Sequence, residues 1–464
     1  MKFFPSTVDL NNFADRIAAD KKFPLKIIII AVIVRVFFTL LHPSVYPVTD
    51  MLGYNEAAIS LLQDGEYRVK GVISANRPPI YPYLLYVMYG VFGHSFLLVR
   101  LVQSIFGALS AWMLFLIGKD MFDRRIGTLA GLVYALYPAS WAFSDQLLTE
   151  SLFTLLMLTS VHFFMKISED RNPWVIFSAG FFGGLSVLTR TAFAPYLLFI
   201  FAGVFLFKYR SPKLIASFVL ATIISFMVMF PWMLRNQYTH GVFTLNPKSG
   251  VDFAEYNISS LPFIIKNHVD DKEILEEGEF WKYDEVTKGK MAMAAAKKWI
   301  TQNPHLFIVK GIRQIMNIWG FDRDYFWYYI AGYYGHDPLW MMGIMALLMG
   351  IPFVIIAPLS TAGFIISKPF REGRLVPALV MICLHILTFI VYGFSRHRFP
   401  FAAFLIVWAI YALLNLDKIK AVLRRGNKSW AKRAIIFSWC FIFFAWSLEI
   451  VIDLGQLLNL NFIE

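Results

Sequence analysis

The sequence predicts an all-α polytopic membrane protein, and three observations carry that prediction. Its 464 residues are 58% hydrophobic and 17% aromatic but only 16% charged, against roughly 25% charged in an ordinary soluble domain. The apolar residues gather into about eleven runs, each about 17 to 25 residues long, the length that crosses a bilayer as a helix. The basic residues fall between these runs instead of forming one patch, so the net charge of +12 reads as membrane topology and not as a nucleic-acid surface. Cys383 and Cys440 both lie inside apolar runs and read as small hydrophobes, not as a disulfide or a metal pair.

The expected transmembrane helices lie near 25–41, 95–117, 127–143, 147–166, 173–189, 191–207, 213–234, 338–358, 374–394, 399–415 and 434–452. Asp9, Asp15 and Asp20 precede the first run and no small-residue cleavage site follows it, so it is expected to stay attached. With the N-terminus inside, basic clusters collect on one side: Lys21, Lys22 and Lys26; Lys119, Arg124 and Arg125; Lys208, Arg210 and Lys213; Lys368, Arg371 and Arg374; and the run from Lys418 to Arg433. Two long segments then face outside, residues 42–94 and 235–337, the second expected as a small extracytoplasmic subdomain. The division that follows is a membrane catalytic domain over 1–420, with a basic cytoplasmic loop and last transmembrane helix over 421–464. No fixed-period or inverted repeat is visible.

The first outer segment opens with YPVTDMLGYNEAA. Met51, Tyr54, Ala58, Leu61 and Leu62 recur at helical steps, with Gly53, Glu56, Ser60 and Gln63 on the other side. That pattern predicts an amphipathic interfacial helix, with Thr49 or Asp50 as its N-cap and Gly65 as its C-cap glycine. An N-cap role needs no chemistry from Asp50. Farther on, Asn76–Gly90 reads NRPPIYPYLLYVMYG, where the prolines impose an extended entry. Arg77 before them reads equally as a snorkelling interface arginine or as a phosphate ligand. The aromatic stretch at 325–334, YFWYYIAGYY, fits an interfacial belt better than an acceptor path.

Charges within or at the ends of spans are costly and so are candidates for function. They are Arg35, Arg100, Asp145, Glu150, Arg190, Arg235, Arg396 and Arg398. All but Arg35 fall on the side of Asp50, which suits an anionic substrate held among cations with a carboxylate left to take a proton.

The stretches VTDMLGYNEAAISLLQDGEY and NRPPIYPYLL resemble the first outer loop of the polytopic glycosyltransferase C superfamily, particularly bacterial protein O-mannosyltransferase-like and lipid A aminoarabinose transferase-like members, relatives of glycosyltransferase family 39. Four later stretches agree in order: 100–138, LLTESLF at 147–153, GGLSVLTRTAFAPYLL at 183–198 and PWMLRNQYTHGVFTLNPKSG at 231–250. SRHRFPFAAFLIVWAIYAL at 395–413 is similar to the family's last arginine-and-proline motif. The likeness runs from about 25 to 415 and is weakest over 251–337.

The resemblance implies that Asp50 is the general base, that Arg77 and Arg190 bind the donor phosphate, and that Glu150 shapes the sugar or acceptor site. Tyr54, Tyr81, Arg235, Asn236, Arg396 and Arg398 complete the expected substrate contacts. Many relatives carry a second acid after the first aspartate, whereas Met51 stands here, so no cofactor is expected and a divalent metal is not favoured. The implied activity is inverting transfer of a sugar from a polyprenyl-phosphate donor to a glycan, lipid or protein acceptor, at the outer face of the cytoplasmic membrane. A polymerase or ligase using diphosphate-linked donors, a lipid or solute transporter, and a non-catalytic scaffold are the alternatives left open.

Overall fold

The structure is a computed structural model that describes residues 7–457 except 168, 208–210, 256, 258–279, 322–327, 336–337, 372, 392 and 427–428. Its described residues form a helical bundle with one two-stranded antiparallel hairpin, Arg68–Val69 and Val72–Ile73, in the 42–94 segment. Each apolar run of the sequence forms helix. Among the described residues, six helices are long and apolar enough to cross a membrane: Phe23–Leu41, Phe96–Met121, Pro212–His240, Trp340–Ile366, Ser395–Leu414 and Trp430–Ile452. Pro173–Thr189, Ala194–Gly203 and Leu375–Ile390 are shorter apolar helices, below the ~20 residues that a perpendicular span takes.

The run expected as one span at 127–143 is instead a pair, Arg124–Leu136 and Pro138–Asp145, bent by 51°. Pro138 disfavours helical geometry at Tyr137 and lacks the N–H that would continue the ladder. Arg35, buried in the first span, explains how the break is tolerated. Its guanidinium donates to Ala135 O at 3.1 Å and to Ser140 Oγ at 2.7 Å, on either side of the bend. Close packing of the Phe96–Met121 and Arg124–Leu136 helices rests on Gly118 and Gly127. A Cβ on Gly118 would stand 2.9 Å from the Gly127 Cα, too close for any larger residue.

Buried cations recur at the C-terminal ends of helices, where backbone carbonyls have no partner. Arg100 donates to His42 O at 2.7 Å and Thr39 O at 3.2 Å and forms a fully buried pair with Asp145. Arg398 binds Ile318 O and Gly320 O at the end of the Pro304–Trp319 helix and stacks on Phe353. Lys310, only 1% exposed, reaches Phe389 O, Ile390 O and Val391 O at the end of Leu375–Ile390, along with Asn257 Oδ1. The outer segment also has its own apolar cluster, built from Val251, Ala254, Phe280, Ala292, Ala295, Ala296 and Trp299.

Candidate active site

The predicted amphipathic helix runs from Asp50 to Asp64 and ends at Gly65 in the left-handed conformation, as its glycine required. Its start decides between the two expected N-caps. Thr49 is the N-cap, at φ 48° and without a side-chain capping bond, and Asp50 is the first helical residue. Positive φ is strained for a β-branched residue. Gly53, expected on the outer side, is buried against Arg77, whose Nε would lie 3.4 Å from a Cβ there.

Asp50 is held by two arginines. Arg77 donates to Oδ1 at 2.7 Å and Arg396 to Oδ2 at 3.0 Å. Arg396 also bonds Glu150 Oε1 and the Tyr328 hydroxyl, and Arg190 reaches Glu150 Oε1 at 3.0 Å. The result is a chain of alternating charge: Arg77, Asp50, Arg396, Glu150, Arg190. Burial pushes the Asp50 carboxyl upward, but Arg396 and Arg77 outweigh it and hold the group down at about 2. Arg77 is raised, the pull of Tyr54 and Asp50 exceeding its desolvation.

Local structure sets each of these groups. Asp50 and Glu150 open their helices, where the positive end of the peptide dipole favours carboxylates. Arg190 is the extended C-cap of Pro173–Thr189, with favourable polarity for a cation. Arg396 lies in the first turn of Ser395–Leu414, an unfavourable end for a cation, so Asp50 and Glu150 compensate it. The turn before it is clamped from the Pro304–Trp319 helix: Lys310 binds the 389–391 carbonyls, and Gln314 Oε1 accepts from Gly393 N at 2.6 Å. Arg398 returns to that helix's last carbonyls.

These residues border a cavity of about 700 Å³ whose wall includes Asp50, Tyr54, Arg77, Arg190 and Arg396, with Lys248, Asp252, Glu255, Tyr328 and His397. A second, mainly apolar groove of about 440 Å³ runs between Phe153, Phe193, Tyr196, Leu384, Leu387 and Phe401. The two share Arg190, Thr191, Asn246, Asp252 and His397. A cation therefore stands where an apolar channel meets a polar chamber. Arg77 Nε is buried without a hydrogen-bond partner among the described residues.

Five expected contacts lie off the cavity wall. Glu150 is fully buried, its Oε1 accepting from Arg190 and Arg396. Tyr81 is fully buried, packs edge-on beneath Tyr54 and donates to Gln103 Oε1 at 2.6 Å. Arg235 stacks on Trp232 and donates to Ser74 O at 2.8 Å, while Asn236 binds Thr244 O. Both tie the Pro212–His240 helix to neighbouring loops. Arg398 caps a helix, as above. Conversely, Tyr328, Lys248 and Asp252 were not singled out from sequence. Tyr328 belongs to the stretch read as a belt, of which 325–327 lie outside the described residues. Tyr328, Tyr329, Tyr333 and Tyr334 are buried, and Tyr333 donates to Asp145 O at 2.8 Å, so this part is core and cavity wall. Lys248 pairs loosely with Asp252 at 3.7 Å. Among the described residues, no group of three or more His, Cys, Asp or Glu side chains is placed to hold a metal ion.

Residues 76–234 match the family model for dolichyl-phosphate-mannose-protein mannosyltransferase. A search of curated protein sequences gives no significant match. Among solved structures, the apo oligosaccharyltransferase of Archaeoglobus fulgidus is similar at 16% identity and a TM-score of 0.51, over 92% of this chain and 55% of that one. The same organism's oligosaccharyltransferase AglB, in complex with an inhibitory peptide and a dolichol-phosphate, gives 17% identity, a TM-score of 0.50 and coverage of 92% and 55%. ArnT from Cupriavidus metallidurans bound to undecaprenyl phosphate gives 14%, 0.49, and 89% and 62%. The chain thus spans between half and two thirds of the length of these structures.

Proposed function

We propose that this chain, a multi-pass membrane protein with the polytopic glycosyltransferase C fold, transfers a sugar from a polyprenyl-phosphate-linked donor to an acceptor glycan, lipid or protein at the outer face of a cytoplasmic membrane. One observation carries the reading: Arg190 stands at the junction of an apolar groove and a polar chamber. A polyprenyl phosphosugar has the same three parts in the same order: an apolar tail, an anionic joint and a polar head. The family match over 76–234 supports the same donor class.

In this reading the tail lies in the groove, Arg190 and Arg77 bind the phosphate, and the sugar occupies the chamber beside Tyr54 and Tyr328. The acceptor oxygen or nitrogen attacks the anomeric carbon from the face opposite the phosphate. The bond from that carbon to the phosphate oxygen breaks, its electron pair leaves with polyprenyl phosphate, and the acceptor proton passes to Asp50. Configuration inverts. The arginines stabilise the charge that develops on the leaving phosphate. Because Asp50 is held at about 2, it is a weak base in the free site, and its proton is gained late, after most of the phosphate bond is lost. A donor phosphate that draws Arg77 toward itself loosens Arg77 from Asp50 and strengthens the base. Transfer is read as metal-independent, supported by a donor set in which both Asp50 oxygens already face guanidiniums.

Incubating the purified protein with a panel of polyprenyl-phosphate sugars and membrane acceptors, followed by mass spectrometry, tests this. A new glycosidic bond with release of polyprenyl monophosphate is expected. Movement of lipid or solute without a new bond overturns the reading in favour of transport.

A further inference from the structure

At the far end of the bundle, the ends of several helices surround a second polar cavity of about 300 Å³. Its position follows from the chain direction. Leu375–Ile390 ends, and Ser395–Leu414 begins, beside the catalytic chamber, whereas Arg374 and Asn415, at their opposite ends, line this cavity. A 20-residue helix separates the two by about 30 Å.

The charges in its wall are unequal. Arg125, Arg374 and Lys418 face one acid, Asp123. Arg125 is partly compensated, pairing with Asp123 at 3.1 Å and with Asp15 at 3.4 Å. Arg374 is turned to the backbone, donating to Met121 O and Ser367 O and lying over the Phe122 ring. Lys418 lies 5.7 Å from the Tyr411 ring centroid. Phe122 and Tyr411 stack face to face at 4.3 Å and give the cavity an aromatic side wall. Asn11, which anchors the first helix to Leu414 O at 3.2 Å, supplies a polar edge.

We propose that this cavity binds the phosphate of an anionic phospholipid headgroup. The excess of positive charge is matched by a phosphodiester, the edges of the aromatic stack by its glycerol and first methylenes, and the location by the membrane surface opposite the catalytic chamber. Basic pockets between transmembrane helices are recognised headgroup sites. Arg374 orders the helix ends, Arg125 and Lys418 supply adjustable charge, and the lipid seals the point where the Thr7–Ala19, Arg124–Leu136 and Ser395–Leu414 helices meet. The proposal is independent of the transfer reaction.

The test uses the full-length protein in detergent, wild type and the double variant Arg125→Ala with Lys418→Ala, leaving Arg374 in place because it holds helix ends. Native mass spectrometry and thermal unfolding are measured with added phosphatidylglycerol, phosphatidylcholine or inorganic phosphate. The wild type is expected to retain phosphatidylglycerol and unfold at higher temperature with it. Phosphatidylcholine and inorganic phosphate should do neither, and the double variant should bind phosphatidylglycerol about tenfold more weakly. Lys418→Glu alone, at an exposed position, should weaken it as well. Equal binding of both lipids, an equal effect of inorganic phosphate, or unchanged binding in folded variants overturns the proposal.

Discussion

Asp50 shows how one residue of register changes a reading. The sequence offered Thr49 or Asp50 as the helix cap; Thr49 takes that position at a strained φ, and the Asp50 carboxylate faces two arginines. No periodicity reports a positive φ at a threonine, so the sequence pattern left both candidates open. Glu150, Arg190 and Arg396 were singled out because acids and arginines at span ends are expensive, Asp50 and Arg77 from the pattern of the first outer segment and its family resemblance. The same criterion also selected Arg35, Arg100 and Arg398, which satisfy helix-terminal carbonyls. What separates them is that Arg35, Arg100 and Arg398 direct donors to backbone carbonyls, Arg100 adding the buried Asp145, whereas Arg396 and Arg190 meet on Glu150 beside the chamber. A pH prediction follows at this scale. With its folded pKa depressed to about 2, Asp50 stays ionised above that value, and the stability it contributes is lost only as pH falls from about 4 through about 2. The kcat/KM profile of the free enzyme should therefore show no acid limb from Asp50 between pH 5 and 8. A limb in that window that persists at several donor concentrations and is absent in an Asp50→Glu variant would contradict the ion-pair chain.

Helices were legible from apolar runs, but their ends were not. Pro138 marked a break within one expected span, and Arg35 makes that break stable in an apolar setting. The 235–337 segment was read least well because the contacts it makes to the chamber and to the 389–391 carbonyls come from single side chains, Tyr328, Lys248 and Lys310, and not from any periodic pattern. Lys310 is the clearest case. It secures the 389–391 carbonyls just before the turn to Arg396, and Gln314 secures Gly393 from the same helix. Lys310→Met leaves those carbonyls without their donor and should lower turnover about tenfold or more, from a cost of about 1–3 kcal/mol in ordering the turn. Lys310→Arg should recover part of the loss. Gly393→Ala brings a Cβ against Gln314 O and should lower both turnover and thermal stability. Steady-state kinetics beside thermal unfolding separate the cases: Lys310→Met turning over like the wild type would show that the clamp does not position Arg396.

For the whole molecule, the fold places an apolar channel, a cation and a polar chamber in series, an order that no local motif states. Its consequence is selective dependence on the lipid. Leu387 lines the groove, and Leu387→Trp narrows it, so the donor KM should rise about five- to tenfold for a long polyprenyl chain. A short-chain donor analogue should be nearly unaffected, and equal effects on both chains would place the tail elsewhere. The two ends of the site can then be read in one experiment: initial rates against donor concentration for wild type, Asp50→Asn and Arg190→Ala, with release of polyprenyl phosphate as the signal. Asp50→Asn should lower kcat by about 100-fold or more with little change in donor KM. Arg190→Ala should raise donor KM and lower kcat together. Near-normal release of polyprenyl phosphate by correctly folded Asp50→Asn would contradict the assignment of this chamber as the place where the sugar is transferred.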